Sequence, residues 1–194
     1  MFEVQDGPPE QSIDVSDIAD AVPRAEPLSR SGNPDSYVVF GERYTVLDSS
    51  EDYQQTGVAS WYGSKFHGRA TASGEPYDMY AMTAAHKSLP LPTYAQVTNL
   101  DNQRRVIVKI NDRGPFHDDR LIDLSYVAAL KLGVTDHGTA RVEVRALSPI
   151  MKRGQAEQLA LATESRRFFV QLGAFAQRDN AERMVSILPA ELEK

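Results

Sequence analysis

The stretch RVIVKINDRGP, residues 105–115, alternates residue character as far as Asp112 and then breaks at Arg113-Gly114-Pro115. A period of two with β-branched residues on one face reads as a half-buried strand, and Gly-Pro closes it with a turn. The alternation carries Val106, Val108, Ile110 and then Asp112 on one face, which by its content is the core face. A carboxylate at the end of an apolar stripe loses solvation, so its pKa rises and it can act as a general acid near neutral pH. On spacing alone a plainer alternative stays open. The strand ends at Asn111, and Asp112 caps the turn or pairs with Arg113 or Arg120.

Working outward, residues 92–112 read as two strands joined at Leu100-Asp101-Asn102, a hairpin. TGVASWYG (56–63) alternates, with Val58, Ser60 and Tyr62 on one face and Ala59 and Trp61 on the other. TARVEVRAL (139–147) is another strand, with Val142, Val144 and Ala146 inward. DLSYVAALKLGV (123–134) reads as a short helix with Ser125 as N-cap and Gly133 as its stop. YVVFGERYTVL offers a strand-like entry from Tyr37. Short strands, one or two small helices and many turns predict a mostly β fold, a compact barrel running from Gly57 to Leu147.

The flanks differ from this body. Residues 1–36 hold eight acids against Arg24 and Arg30, and five of the eleven prolines. They carry the whole net charge of −6 and read as a disordered, solvated linker. The body, residues 37–147, is neutral overall with the rest of the chain and has no basic stripe, which argues against nucleic acid. Residues 148–165 read as a second linker, and RRFFVQLGAFAQRDNAERMVSIL (166–188) as one β-α step within a unit, 166–194, too small to bury its own core. Without cysteine, disulfides, thiolate metal sites and cysteine nucleophiles are excluded. No run is long enough to span a bilayer. Met1-Phe2-Glu3 has neither the positive flank nor the apolar core of a signal peptide, so the chain reads as cytosolic or as lacking its export signal.

The polar residues worth weighing cluster in a long loop, 62–90, and in 111–125. The loop supplies Glu75, Asp78, His67 and His86. Glu75 in SGEPYD is either a solvated turn acid or the partner of Asp112 in a carboxylate pair, whose separation would set the stereochemistry of glycoside cleavage. His86 is either a packed histidine or a hydrogen-bonding group beside a polar substrate. The four histidines lack metal-ligand spacing, so no metal and no cofactor is expected. Of Trp61 and Tyr62, one is core and the other free to line a sugar-binding groove. There is no Gly-x-Ser-x-Gly elbow, P-loop or dinucleotide fingerprint.

GVASWYGSKFHGRATASGEPYDMYAMTAAHKSLPLPT, followed by VKINDRGPFHDDRLIDLSYVAALKLG, resembles the rare lipoprotein A (RlpA) family over about residues 56–147. The resemblance implies a six-stranded double-psi β-barrel, shared with expansins, and bacterial cell-wall glycan as partner. Some members of that family are lytic transglycosylases acting on peptidoglycan strands without stem peptides, in cell-wall remodelling and daughter-cell separation. Others only bind, so an expansin-like, non-catalytic glycan binder is the alternative. Carried over, the catalytic aspartate falls on Asp112, the loop acid on Glu75 with Asp78 beside it, the loop histidine on His86 and the groove tyrosine on Tyr62. Asp123 in LIDLS reads as structural, at the helix N-terminus. FVQLGAF and NAERM resemble the start of a SPOR domain, a module that binds denuded glycan at division septa. The resemblance further implies a periplasmic, outer-membrane lipoprotein enriched at the septum, held by an N-terminal lipid anchor on a cysteine that this sequence lacks. A monomer is the default expectation.

Overall fold

A computed structural model describes residues 6–9, 13–117 and 119–148. The expected linker at 148–165 (but for Ser148) and the SPOR-like segment at 166–194 lie outside the described residues. The first two strands, β1 (Ser36–Val39) and β2 (Glu42–Thr45), form a hairpin of their own. Phe40 and Gly41 turn it with positive φ at both positions, the arrangement that matches strand twist in a two-residue loop. It docks through Tyr37, Tyr44 and Phe116, whose rings lie 5.4 to 6.2 Å apart.

The remaining strands close into a barrel: β3 (Gln54–Tyr62), β4 (Thr83–His86), β5 (Thr93–Asn99), β6 (Arg105–Asp112), β7 (Arg120–Ser125) and β8 (Ala140–Ala146). Their order around it is β3-β7-β4-β6-β5-β8. Two pairs, β3 with β7 and β4 with β6, are parallel, and the others are antiparallel. This is the six-stranded, mostly β barrel the sequence leads one to expect. Its interior is filled by Ala59, Val97, Val106, Val108, Ile110, Ile122, Leu124, Val142 and Val144, each no more than 1% exposed. Ala146 shares that face but is only half-buried at the barrel's end.

The one described helix, α1 (Tyr126–Leu132), is bounded as its sequence dictates. Ser125 Oγ accepts from Ala128 N, and Gly133 stops the helix in the left-handed conformation. Asp123 is not at its N-terminus. It belongs to β7, a strand that local pattern did not reveal.

Residues 13–36 also differ from the expected solvated linker. They run as a strap along the barrel, because their few apolar side chains and their acids find complementary partners. Ile13, Val15, Ile18 and Ala21 pack against the core. Asp20 accepts from Ile107 N and pairs with Lys131 at 2.7 Å, while Ala21 N donates to Ile107 O. Further along, Ser29 N donates to Leu91 O, and Asn33 Oδ1 accepts from Leu91 N. Asp20, an acid that composition reads as solvating, thus serves as a hydrogen-bond acceptor for the backbone of β6.

Candidate active site

The site is organised by a fault in β6. Ile110 pairs with Ala84, but the next residue of β4, Ala85, pairs with Asp112, so Asn111 is the extra residue of a bulge. Consecutive residues of β4 point to opposite faces, so Asp112 leaves the face of Ile110 and joins that of Ala85. The simple alternation that put Asp112 on the core face is therefore corrected. On its other side Ala85 pairs with Asp123 of β7. Two carboxylates flank one small alanine on the outward face of three adjacent strands.

Asp112 is covered by a tight loop rather than by the core. Thr71 N and Oγ1 both donate to Glu75 O, and Gly74, at φ +92°, allows the chain to fold back between them. The loop presents Ala72 N to Asp112 Oδ1 at 2.8 Å, and Arg113 N donates to the same oxygen at 2.8 Å. Oδ2 receives no hydrogen bond from any described residue. Burial raises the Asp112 pKa against the opposing pull of those two N–H groups. The loss of solvation inferred from the sequence is present, but its cause is the loop.

Glu75 is held the opposite way. Its two oxygens accept from Asn111 Nδ2 (2.9 Å) and Lys109 Nζ (2.8 Å), and these bonds lower its pKa. The bulge thus serves twice, since Asn111 holds Glu75 while Asp112 turns outward. A carboxyl whose pKa burial raises thus stands near one whose pKa its two donors lower.

Asp123 is the residue the sequence reading undervalued. Its Oδ2 pairs with Arg120 Nη2 at 3.3 Å, while Oδ1 is buried without a partner, and burial raises its pKa to about 6. The apolar–polar–apolar run Ile122-Asp123-Leu124 is too short to mark the strand by itself. Tyr62 pairs with Ser125 on the same face, stacks on Tyr77 at 4.0 Å and is nearly buried. It is not an open groove wall. Burial, then the charge of Asp112, drive its pKa well above the usual phenol value. Its hydroxyl and Thr83 Oγ1 face one another, yet neither has a hydrogen bond of ordinary geometry. Trp61 packs on Tyr126, 5.5 Å between ring centroids. The orphaned, buried polar atoms of Tyr62, Thr83, Asn111 and Asp123 lie on the neighbouring strands β3, β4, β6 and β7.

The other expected residues stand apart. The His86 ring is 2% exposed on the core face, opposite Ile122. Its Nδ1 accepts from Ser88 N and Leu89 N, which leaves the proton on Nε2 for Tyr53 Oη at 2.8 Å. Burial, reinforced by Arg113 and Lys87, lowers its pKa to about 3. His86 is thus buried at the end of β4 with both ring nitrogens hydrogen-bonded. Asp78 caps its own turn by accepting from Tyr80 N and approaches His67 at 3.8 Å, without contacting Asp112 or Glu75. Among the described residues no cluster of histidines and acids could hold a metal ion.

Two open clefts are present, and none of Asp112, Glu75 and Asp123 lines either of them. One, of about 490 Å³, is lined by Arg43, Gln55, Lys87, Ser88 and Arg120 among others. The second, of about 470 Å³, lies between the strap and Tyr80, Met82, Thr83, Tyr94 and Lys109. Along β4, Ala85 falls between the residues that border each.

Residues 54–144 match the family model described as "Lytic transglycolase". Curated relatives named "Endolytic peptidoglycan transglycosylase RlpA" are similar over most of the chain. The protein from Pseudomonas aeruginosa is 53% identical over 161 residues, 81% of this chain and 47% of the relative. That from Vibrio cholerae is 48% identical, covering 80% of this chain and 60% of the relative. That from Neisseria meningitidis is 49% identical, covering 84% and 65%. The chain spans about half to two thirds of the length of these relatives.

Proposed function

The chain belongs to the RlpA family of double-psi β-barrel proteins, and from that premise we propose that it is a lytic transglycosylase of peptidoglycan glycan strands. Asp112, protonated, donates through its free Oδ2 to the oxygen bridging N-acetylmuramic acid and N-acetylglucosamine. As the C1–O bond breaks, positive charge develops on the sugar ring, and the fixed anion of Glu75 stabilises it. The Asp112 carboxylate then takes the proton of the muramyl C6 hydroxyl as that oxygen closes on C1. The products are a free 4-hydroxyl and a 1,6-anhydro end, and no water is consumed. One carboxyl serves twice, so no separate base is required, unlike an inverting hydrolase.

The observation that carries this reading is the split environment of the two carboxyls: burial raises the pKa of Asp112, which keeps Oδ2 free of hydrogen bonds from described residues, while Lys109 and Asn111 hold both oxygens of Glu75 and lower its pKa. Cutting at internal bonds is what the relatives' names say of them, and the same is proposed here. A second reading exchanges the aspartates, with Asp123 as the acid, because its pKa is raised to about 6 and one of its oxygens is unpartnered. His86 and Asp78 act through the fold in either reading, and Tyr62 acts on Asp112 from its buried place.

Membership of the family supports an envelope location for the chain's work. A periplasmic, outer-membrane lipoprotein at the division septum, acting on strands without stem peptides, is the finer form of the proposal. So are a monomeric state and a SPOR-like glycan-binding module at 166–194. The test is release of soluble product from peptide-free strands by wild type, Asp112→Asn, Asp123→Asn and Glu75→Gln. Loss in Asp112→Asn with residual turnover in Asp123→Asn supports the first assignment, and the reverse supports the second. Binding of intact strands without product by wild type would leave the expansin-like alternative.

A further inference from the structure

We infer that Glu26 and Lys109 are positioning residues for Glu75, which makes the N-terminal strap a working arm of the site. The inference rests on the reading of Glu75 as the anion of the proposed reaction. Lys109 lies on β6 in the row Thr83–Lys109–Tyr94, two residues before the bulge. Its side chain is only 17% exposed, and Nζ bridges two carboxylates from distant parts of the chain: Glu75 Oε1 at 2.8 Å and Glu26 Oε2 at 3.2 Å. The other oxygen of Glu26 accepts from the Tyr94 hydroxyl and from Arg24 Nε, at 3.0 Å for the latter. Arg24 Nε also reaches Tyr94 Oη at 3.2 Å.

The strap holds Glu26 in place from both sides. Residues 18–21 are tied down by Lys131, which donates to Ile18 O and Asp20, and by the backbone of Ile107. Residues 29–33 are tied by Leu91 and by Arg113, which donates to Gly32 O at 2.8 Å. Glu26 is strung between these anchors directly over Lys109. A lysine with three donors and a flexible stem would otherwise roam among the acceptors near Glu75. Held by Glu26, it approaches Glu75 from one direction while Asn111 approaches from the other, and the carboxylate is fixed by both oxygens. The charged and titratable groups that face this centre are Arg24 and Glu26 from the strap, Tyr94 from β5, Lys109 from β6 and Glu75 itself.

The geometry requires two shifts of opposite sign. Lys109→Met removes the cation shared by both carboxylates, so Glu75 titrates at higher pH. Glu26→Gln removes a neighbouring negative charge and leaves Lys109 to Glu75 alone, so Glu75 titrates at lower pH. The experiment is carbon NMR of carboxyl-labelled glutamate in the 194-residue chain, with the Glu75 signal assigned by its loss in Glu75→Gln. Alongside it, turnover of peptide-free strands is followed across pH. Lys109→Met is expected to lower kcat about tenfold with KM little changed, and Lys109→Arg to restore most of it. Glu75 shifts in opposite directions in the two variants support the inference. If both variants titrate as wild type, or shift in the same direction, the bridge does not position Glu75 and the inference fails. If the opposite shifts are found but wild type yields no product, the bridge stands and the proposed reaction falls.

Discussion

His86 gives the sharpest quantitative expectation. The perturbation is His86→Gln, which keeps comparable volume and removes a titrating group. Burial takes the imidazole from its ordinary value of 6.5 to about 3. Between those values the unfolded chain binds a proton that the folded chain refuses. The stability it contributes is therefore complete above pH 6.5 and is lost as pH falls toward 3. At about 1.4 kcal/mol per pH unit, wild type should lose about 2 kcal/mol relative to the variant between pH 7 and pH 5. Asp123 acts in the opposite sense, since its folded value of about 6 lies above the ordinary 3.8. It penalises the fold above pH 6 and relieves that penalty as pH falls. The two slopes oppose one another in wild type, so a single stability curve would conceal both. Urea unfolding of both proteins at closely spaced pH values isolates the His86 contribution, because Asp123 and the constant cost of substitution drop out of the slope. Parallel curves between pH 7 and 5 would refute the reasoning, for they would mean that His86 takes up its proton in the folded protein.

Tyr62→Phe removes a buried hydroxyl without a partner, so stability should hold or rise by about 1 kcal/mol while turnover on glycan falls about tenfold. Thermal melting and a product assay check the two halves together, and loss of both would mark Tyr62 as merely structural. Arg113→Met removes donors from Gly32 O, His86 O, Leu89 O and Asn33 Oδ1, and should cost about 3 kcal/mol, or about 10 °C in Tm. Limited proteolysis should then cut first within the strap. Gly32→Ala places a methyl 2.7 Å from Ala72 O at a φ of +82°, so it should lower stability by about 2 kcal/mol, read by denaturant titration.

What was legible in the sequence was local. The β5–β6 hairpin and α1 follow from alternation, a turn and two caps that lie next to one another in the chain. The strands β4 and β7 escaped because TAAH and RLIDLS owe their state to distant partners. β4 pairs in parallel with β6 and β7 with β3, and no nearby turn announces either. That a carboxylate, Asp112, ends β6 was readable, but its face was not, because one bulged residue, Asn111, reverses the side on which everything after it points. His86 illustrates the converse. A histidine in a polar loop suggests substrate contact, and only the two backbone N–H groups converging on Nδ1 show it to be packed and neutral. The strap was hidden for a similar reason, since an acidic, proline-containing segment looks solvated until Ile107, Lys131 and Lys109 are seen to receive its carboxylates.

The most direct test of the central claim is the mass of the sugar ends released from peptide-free glycan strands by wild type and by Asp112→Asn. Ends lighter than a reducing sugar by one water, formed by wild type and absent with Asp112→Asn, are the expected result, for they require intramolecular closure driven by that carboxyl. Reducing ends from wild type, or anhydro ends that persist undiminished in Asp112→Asn, would contradict it.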